Sequence, residues 1–454
     1  MKEIKKESEI LLNINKVSSG YKKVKKYIIP SDWDLIKLSE VAIKIGSGKT
    51  PKGGEKIYRN SGIPFIRSQN VLDNRLDLHN ITYISEEVHN EMKSTKVIPN
   101  DVLLNITGGS IGRCCVVPST FKEGNINQHV CIVRTKEVLS REFLVNILLS
   151  EIGQNQIMLN QAGGSREGLN FQQIRNFNIP LPSIKEQQKI ANILSTWDKV
   201  IELKEKLIEQ KKKQKKGLMH KLLTGQIRWN DSEKYTKEEI QERIQMIVSG
   251  KVPEGYKKSK IGIIPEVWDV RKAKYIFNNH TNKKHNGDLE ILAATQGRGI
   301  IPRGQLDINI KYDEKSLTSY KKVEKGDFVI SLRSFQGGIE YSLYEGIVSP
   351  AYTILKSHAE IIDDFYKYLF KKEDFIKRLN SVIYGIRDGK QIGYKDFGEL
   401  YLQYPSVDEQ LKISSIISLA DKEIKLLNEE LCAFKQQKKG LMQVLLTGKI
   451  RVNE

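Results

Sequence analysis

The chain contains two segments that each occur twice, and this repetition constrains its fold more than any other feature of the sequence. Residues 182–228 and 405–451 match at a constant spacing of 223, from a shared Pro-Ser opening to a shared Leu-Leu-Thr-Gly ending. Residues 20–34 and 255–269 match at a spacing of 235. Repetition of this kind indicates a structural unit that recurs. Because the stretches between the repeats share little sequence, we expect two similar frames that hold two dissimilar inserts.

The order of the repeats is circular. Residues 222–230 lead, after a spacer, into the second copy of the shorter repeat, at Gly255. The matching residues 445–453 stand at the end of the sequence, and Gly20 would begin their natural continuation. This order predicts two halves related by a pseudo-twofold axis.

Each copy of the longer repeat predicts a long helix. Both copies have a serine and a glutamate at capping-box spacing, and both end on a glycine of the kind that terminates helices. These residues are Ser183, Glu186 and Gly225 in the first copy, and Ser406, Glu409 and Gly448 in the second. The first helix would begin near residue 184, and Gly217 could interrupt it.

Apolar residues in both predicted helices recur in alternating steps of four and three, which is typical of a coiled-coil seam. In the second helix they are Ile413, Ile417, Ala420, Ile424, Leu427, Leu431 and Phe434. In the first helix they are Ile190, Leu194, Trp197, Ile201 and Ile208, with Lys204 and Lys211 weakening the later part. Two equivalent helices with facing seams predict an antiparallel pair; the alternative is that each helix packs only on its own domain.

A basic run follows the seam in each helix. Its members are Lys211, Lys212, Lys213, Lys215 and Lys216, echoed by Lys435, Lys438 and Lys439. A solvated helix face with favourable charge near the C-terminal dipole explains such a run, and so does contact with phosphate groups.

The two inserts predict mixed strands and short helices, which makes the fold class α+β. Each has an apolar strand, 102–106 or 328–332, that leads into a polar glycine loop. Each then has a stretch that predicts a helix, 143–149 or 365–370, and a further glycine loop. The inserts are therefore expected to share a fold despite their different sequences.

The glycine loops carry side chains suited to reading DNA bases. Arginine binds guanine with two hydrogen bonds, and asparagine or glutamine binds adenine in the same way. The candidates are Arg67, Gln69, Asn70, Arg113, Asn127, Gln128 and Arg166 in the first insert, and Gln296, Arg298, Arg333, Gln336, Arg387, Lys390 and Gln391 in the second. For any one of them an ordinary surface or turn position remains the alternative.

The charge of the chain agrees with a polyanionic partner. The formal net charge is +19 over 454 residues, which favours nucleic acid first and an anionic membrane surface second; a basic soluble protein with an ordinary surface is the alternative. No run reaches the roughly 18 apolar residues of a membrane helix, and residues 1–26 lack the apolar core of a signal peptide, so a cytoplasmic protein is expected. The four cysteines have no CxxC spacing and are interpreted as buried small apolar side chains.

Motifs for catalysis are incomplete. Residues 46–50 (GSGKT) resemble the end of a phosphate-binding loop, but Ile43 stands where its first glycine is required and Pro51 interrupts the helix that should follow. The seven histidines lack zinc-ligand spacing. We find no adenine-methyltransferase motif and no glycine-rich loop for S-adenosylmethionine. The sequence therefore predicts no catalytic residues and no metal site.

The repeated motifs together resemble the specificity subunits of Type I restriction–modification systems. The Ile-Pro-x-x-Trp motifs at 29–33 and 264–268 are similar to the family's entry into each target recognition domain. The Pro-Ser-x-x-Glu-Gln motifs at 182–187 and 405–410 are similar to the starts of its two helices, and the Lys-Gly-Leu-Met and Leu-Leu-Thr-Gly motifs to their ends.

The resemblance implies an organisation in five parts. They are an N-terminal segment (1–28), a first target recognition domain (29–181), a central helical region (182–263), a second target recognition domain (264–404) and a C-terminal helical region (405–454). Each recognition domain would read one half of a split DNA site. The helices would set the gap between the halves.

The resemblance also implies partners. The helices would dock methyltransferase subunits, two in number, and restriction subunits would complete the complex. S-adenosylmethionine, ATP and magnesium would then belong to those partners and not to this chain. A self-contained nuclease or nucleotide hydrolase, and a coiled-coil scaffold without DNA contact, are the competing interpretations of the sequence.

Overall fold

The computed structural model describes residues 19–161, 168–306, 314–381 and 392–452. The chain divides into two compact units. Unit 1 takes Met1–Glu205 and Glu429–Glu454, and unit 2 takes Lys206–Asn428. Each unit therefore contains one of the two inserts together with parts of both copies of the longer repeat.

Unit 1 begins with a β-hairpin from the shorter repeat and continues into the first insert. Its strands are β1 (Tyr21–Val24), β2 (Tyr27–Pro30), β3 (Asp34–Lys37), β4 (Ala42–Ser47), β5 (Ile63–Ile66), β6 (Val71–Leu72), β7 (Arg75–Leu76), β8 (Thr82–Ile84), β9 (Lys96–Val97), β10 (Val102–Asn105), β11 (Cys114–Val116), β12 (Gly124–Ile126), β13 (Val130–Thr135) and β14 (Asn178–Leu181). Its helices are α1 (Leu38–Val41), α2 (Glu86–Glu91), α3 (Arg141–Leu149), α4 (Glu151–Gln161) and α5 (Phe171–Arg175), and the long α6 (Ile184–Leu223) starts in this unit.

Two four-stranded sheets form the centre of unit 1. Their strand orders are β11-β10-β13-β4 and β8-β5-β12-β9, and β14 pairs separately with β3. The short helix α3 and the strands β10 and β13 bury apolar side chains in one core, because these segments are apolar on nearly every residue. Parallel pairing of β12 with β5 brings the carboxyl ends of these two strands to the same edge of their sheet.

Unit 2 repeats this architecture. Its elements are α7 (Asp231–Lys234), α8 (Lys237–Val248), β15 (Tyr256–Ser259), β16 (Gly262–Pro265), β17 (Asp269–Lys272), β18 (Phe277–His280), β19 (Leu292–Thr295), β20 (Gly299–Pro302), β21 (Lys321–Val323), β22 (Phe328–Ile330), α9 (Ser334–Gly337), β23 (Glu340–Tyr341), β24 (Gly346–Val348), β25 (Thr353–Ser357), α10 (Asp363–Leu369), α11 (Glu373–Ser381), α12 (Tyr394–Gly398), β26 (Tyr401–Tyr404) and the long α13 (Val407–Leu445).

The strand orders of unit 2 match those of unit 1. One sheet has the order β18-β25-β22-β23, which is the order β4-β13-β10-β11 of unit 1. The pairs β19-β20 and β21-β24 correspond to β5-β8 and β9-β12, and a parallel bridge between Ile291 and Ile347 joins them as β5 joins β12. The prediction that the two inserts share one α+β fold is confirmed.

Helices α6 and α13 begin and end as the repeats predict. The Ser183 hydroxyl accepts from the Glu186 amide at 3.2 Å, and Ser406 accepts from Glu409 at 3.3 Å. Gly225 and Gly448 follow the helices with positive φ, where a residue with a side chain would be strained. Gly217 was expected as a possible interruption of the first helix, but α6 runs through it, because a single helical glycine costs only about 1 kcal/mol.

The two long helices pack antiparallel, as predicted from the seam. Within unit 1 the Trp197 ring meets the Phe434 ring edge-on, with centroids 6.0 Å apart, and Lys204 bonds Glu430 at 2.8 Å. Within unit 2, Lys211 pairs with Glu423 at 2.6 Å and Lys215 pairs with Asp421. Since residue numbers rise along one helix as they fall along the other, the pairing has opposite chain directions in both units.

The seam residues divide between two environments. Ile190 and Leu194 lie in the core of unit 1, and Ile413 and Ile417 lie in the core of unit 2. The remaining seam positions are half-buried or buried along the helix pair: Trp197, Ile201, Ile208, Ala420, Ile424, Leu427, Leu431 and Phe434. Each helix therefore packs on a domain at its start and on the other helix along its middle.

A buried carboxylate joins the repeats within each unit, in an arrangement that we call the Trp–Glu–Arg clamp. In unit 1, Glu186 accepts from the Trp33 indole at 3.0 Å and from Arg451 at 2.8 and 2.9 Å. In unit 2, Glu409 accepts from Trp268 at 2.9 Å and from Arg228 at 2.5 and 2.8 Å. Each glutamate thus links the start of its helix to a tryptophan and an arginine of other segments.

Beside each clamp, a β-hairpin is hydrogen-bonded to the end of a long helix. The Tyr256 hydroxyl donates to the Gly225 carbonyl at 2.8 Å, and the Tyr21 hydroxyl donates to the Gly448 carbonyl at 2.9 Å. Residues near the two ends of the sequence therefore make in unit 1 the contact that a continuous segment makes in unit 2. The circular order predicted from the repeats is confirmed.

One expectation about the cysteines is wrong. Cys114, Cys115 and Cys131 are buried in sheet strands, as expected, and burial raises the pKa of Cys115 and Cys131 to about 12. Cys432, in contrast, is exposed. It stands one residue after Leu431 in α13, and a helix position next to the seam points away from it.

Candidate nucleic-acid interface

Loops that follow four strands of unit 1 are tied to one another. After β5, the Ile66 carbonyl accepts from the Asn127 amide at 3.1 Å, which links this loop to the one after β12. The Asn105 side chain, at the end of β10, donates to the Ser68 carbonyl at 2.9 Å and to Ser110 at 3.1 Å. The loops after β5, β10 and β12 therefore form one continuous surface.

The loop after β4 joins the same surface through a glycine. A Cβ added to Gly48 would lie 1.7 Å from the Ile126 carbonyl oxygen, so only glycine allows this approach. The GSGKT segment ends β4 here, and the chain continues into a 3-10 helix at Gly54–Ile57. Gly48 of this segment serves a close backbone contact, which explains its presence without a nucleotide.

The candidates after β5 have different surroundings. Arg67 stacks its guanidinium on the Tyr58 ring at 5.7 Å, and Gln69 is exposed. Asn70 is only 3% exposed, and its amide accepts from the Arg67 backbone at 3.0 Å and donates to the Asp77 carbonyl at 3.1 Å. Gln69 is thus exposed to a ligand and Arg67 is partly exposed, whereas the Asn70 amide shapes the loop.

The other candidates of unit 1 lie on the turns after β10 and β12. Arg113 is exposed beside Gly112, which has positive φ. Asn127 is buried, and its side chain accepts from the His129 amide at 3.1 Å. Gln128 between them in the turn is exposed. Arg166 lies outside the residues that the structure describes.

The Gln128 side chain is held from both sides. Its amide nitrogen lies 3.1 Å from the His129 Nε2, within hydrogen-bond distance, and the Thr50 hydroxyl donates to its amide oxygen. The His129 Nδ1 in turn lies 2.6 Å from the Thr107 hydroxyl. Three loops therefore contribute to the position of one exposed amide.

In unit 2 the base-reading candidates lie on loops that follow the strands corresponding to those of unit 1. Gln296, after β19, donates to Gln336 of α9 at 3.3 Å, which joins the loops after β19 and β22. Arg298 is exposed in the β19–β20 turn and donates to the Gln305 carbonyl at 3.2 Å. Arg333 is exposed at the start of α9. The remaining candidates, Arg387, Lys390 and Gln391, lie outside the described residues.

Sequence reasoning missed several residues on these surfaces. Thr50 and His129 in unit 1, and Tyr352 after β24 in unit 2, occupy the same strand-end positions as the candidates. Burial raises the pKa of Tyr352, and the charges of Arg303 and Arg333 act in the opposite direction. The available signal was their place directly after an apolar strand, but the strands were not all recognisable from the sequence.

The basic runs of the long helices are largely neutralised by acids. In unit 2, Lys215 pairs with Asp421, and Lys216 pairs with Glu373 at 2.5 Å. In unit 1, Lys435 pairs with Glu205 at 2.7 Å and Lys438 with Asp198 at 2.5 Å. These contacts give the lysines a role in holding helices together and to the domains.

Two kinds of feature are absent from the residues that the structure describes. Among them no group of three or more histidine, cysteine or acidic side chains is arranged to hold a metal ion. Over the same ranges no helix has the length and apolar character that crossing a membrane requires.

Comparison with known proteins identifies the class. A family model for the Type I restriction modification DNA specificity domain matches residues 30–212 and 253–433. Because the two matches cover most of the sequence, the chain belongs to this family. The resemblance found from the repeated motifs is confirmed.

Particular relatives extend over the full length. The putative type I restriction enzyme MjaX specificity subunit of Methanocaldococcus jannaschii is 26% identical over 456 residues, covering 98% of this chain and 99% of the relative. The type I restriction enzyme MjaVIII specificity subunit of the same organism is 26% identical over 448 residues, covering 93% and 94%. Relatives of this kind imply a non-catalytic role.

A solved structure shares the fold. It concerns complex assembly and conformational transition of the type I R-M system, and one of its chains is 15% identical to this one. The match covers 93% of this chain and 100% of that chain, with a TM-score of 0.56. The arrangement of two domains with long helices is thus found in a known protein.

Proposed function

We propose that this chain reads DNA for a Type I restriction–modification complex, with each recognition domain reading one half of a bipartite site. One observation carries the proposal: the two units have the same strand order, yet the loops at corresponding strand ends carry different side chains. A shared scaffold with different exposed amides and guanidinium groups suits two different base sequences.

The long helices would have two tasks in such a complex. A paired helix is stiff and rises about 1.5 Å per residue, so it can set the unread gap between half-sites. Leu203, Leu419 and Leu426 are exposed on α6 and α13, away from the seam, and give the helices apolar surface that a protein partner would bury. We assign that surface to methyltransferase subunits, two per complex.

The chemistry would belong to partner subunits. Methylation of the site requires S-adenosylmethionine on the methyltransferases, and cleavage requires ATP and magnesium on restriction subunits. The chain itself would contribute target selection, and a DNA partner places this role in the cytoplasm.

Methylation mapping of the host tests the proposal. Deleting the gene should remove methylation from one bipartite motif, and restoring the gene on a plasmid should return it. The control is the set of other methylated motifs, which should not change. If every motif persists in the deletion strain, the chain does not direct methylation and the proposal fails.

A further inference from the structure

The turn after β12 presents a glutamine amide that is hydrogen-bonded to a side chain on each side. We propose that Gln128 reads an adenine in the half-site of the first domain, and that Thr50 and His129 are positioning residues that hold its amide for this purpose. The inference rests on the proposed function and adds to it the identity of one base.

The backbone of the turn is rigid. The Asn127 amide donates to the Ile66 carbonyl at 3.1 Å, and the buried Asn127 side chain accepts from the His129 amide at 3.1 Å. The Val130 amide then donates to the Asn127 carbonyl at 3.3 Å, where β13 begins. Gln128 is thus exposed at the tip of a turn that is fixed on both sides.

Hydrogen bonds to His129 and Thr50 hold the Gln128 side-chain amide. An amide nitrogen can only donate, so the His129 Nε2 at 3.1 Å must accept from it. The His129 proton then lies on Nδ1, which donates to the Thr107 hydroxyl at 2.6 Å. Because the Thr50 hydroxyl donates to the amide oxygen, exchanging the two ends of the Gln128 amide would require Thr50, His129 and Thr107 to reverse their hydrogen-bond roles together, and in either arrangement the amide keeps the same two partners.

The remaining capacity of the amide matches adenine. A glutamine amide has two N–H groups and two acceptor positions on its oxygen. One of each is used by His129 and Thr50, which leaves one donor and one acceptor toward solvent. In the major groove adenine offers N7 as acceptor and N6–H as donor, which satisfies both.

The other bases leave one of these atoms opposed or unpaired. Guanine presents two acceptors in the major groove, N7 and O6, so the fixed amide oxygen would face another oxygen. Thymine offers only an acceptor beside its methyl group, and cytosine only a donor. A well-placed bidentate contact discriminates against a wrong base by roughly 5- to 150-fold.

Gln69 provides a matched comparison on the neighbouring loop. It is also exposed, but among the described residues no hydrogen bond to its side chain is found. Its amide is therefore free to rotate, and ordering it on DNA would cost side-chain entropy that Gln128 has already lost. The structure assigns the adenine contact to Gln128 for this reason.

The test replaces the chromosomal gene by variants and maps the host methylome. Gln128→Leu removes the amide, Thr50→Val removes the hydroxyl with little change of shape, and Thr50→Ser keeps the hydroxyl. We expect Q128L to make one adenine position of the motif degenerate, with all other positions of both half-sites retained. T50V should relax the same position partly, and T50S should keep the wild-type motif. Gln69→Leu, as the control, should leave that adenine required.

The outcomes separate this inference from the proposed function. A bipartite motif that Q128L leaves unchanged, or changes at a position other than adenine, overturns the inference alone. T50V with the same motif as T50S refutes the positioning role of Thr50. Q128L could also abolish methylation altogether. In that case the inference is still supported if the T50V motif has lost its requirement for one adenine and the T50S motif has kept it. If T50V and T50S have the same motif, the inference is overturned. Failure of gene deletion to change any motif refutes the proposed function itself.

Discussion

Replacing Arg228 by methionine should destabilise unit 2, because it leaves the Glu409 carboxylate buried without its cation. The Glu409 side chain is 5% exposed and Arg228 is 26% exposed, with two hydrogen bonds of 2.5 and 2.8 Å between them. Removing one partner of a buried pair costs roughly 3–5 kcal/mol. Since water reaches Arg228, we take the lower end, about 3 kcal/mol.

Thermal unfolding and hydrogen exchange measure this loss. For a unit of this size each kcal/mol lowers Tm by about 2–4 °C, so the transition that reports unit 2 should fall by about 6–12 °C. Because a chain with two units need not unfold in one step, hydrogen–deuterium exchange should locate the effect. Peptides from β17 and the start of α13 should exchange faster, and those from β3 and the start of α6 should not.

A double-mutant cycle identifies the cause. In Glu409→Gln the amide oxygen can still accept from the Trp268 indole, and no charge is buried; adding R228M to E409Q should therefore cost less than about 1 kcal/mol. Arg451→Met is the matched variant in unit 1 and should cost less than R228M, because Arg451 is 40% exposed. An equal loss from R228M in both backgrounds would mean that Arg228 acts by packing, and the reasoning about the carboxylate would be wrong.

Four further predictions concern DNA. Replacing residues 30–180 by the insert of a homologue should change one half of the methylated motif, and a change in both halves would contradict independent reading. Inserting four residues after Ile201 lengthens a helix by about 6 Å, so methylation mapping should show a gap longer by about one or two base pairs with both half-sites retained. The logarithm of DNA affinity should fall against the logarithm of salt concentration by about 0.9 per phosphate contact, with a slope of several units, and a flat response would argue against DNA. The purified chain with ATP, S-adenosylmethionine and magnesium should neither cut nor methylate DNA, and robust turnover would refute this.

The helical frame could be predicted because its signals are local. A serine cap, a terminal glycine and an apolar residue at every third or fourth position each act within a turn or two of helix. The clamp was not predicted, because Glu186 bonds a residue 265 positions away and Glu409 one that is 181 away. Glu and Arg recur at the same spacing in both copies of the longer repeat, and Trp recurs in both copies of the shorter repeat; this recurrence was the signal that could have suggested the clamp.

The recognition surface could be predicted only as a set of loops. Asn70 and Asn127 lie on the expected loops, yet both are buried and hydrogen-bonded to backbone. Thr50 ends the GSGKT segment, which was interpreted as an incomplete phosphate-binding motif and not as a base-reading loop. In irregular backbone no fixed period relates sequence position to side-chain direction, so residue type alone cannot separate a turn-forming amide from one that faces a ligand.

The two units also show which contacts position the recognition domains. In unit 2 the segment from Gly225 to Tyr256 is covalently continuous, whereas in unit 1 Gly448 and Tyr21 belong to distant parts of the sequence. Both pairs form the same hydrogen bond, at 2.8 and 2.9 Å. Chain connectivity is therefore not what places the hairpin against the helix end. In both units the Trp–Glu–Arg clamp and the Tyr–Gly hydrogen bond hold the hairpin there. Neither contact involves the base-reading loops, so the sequences of these loops can differ between the two units.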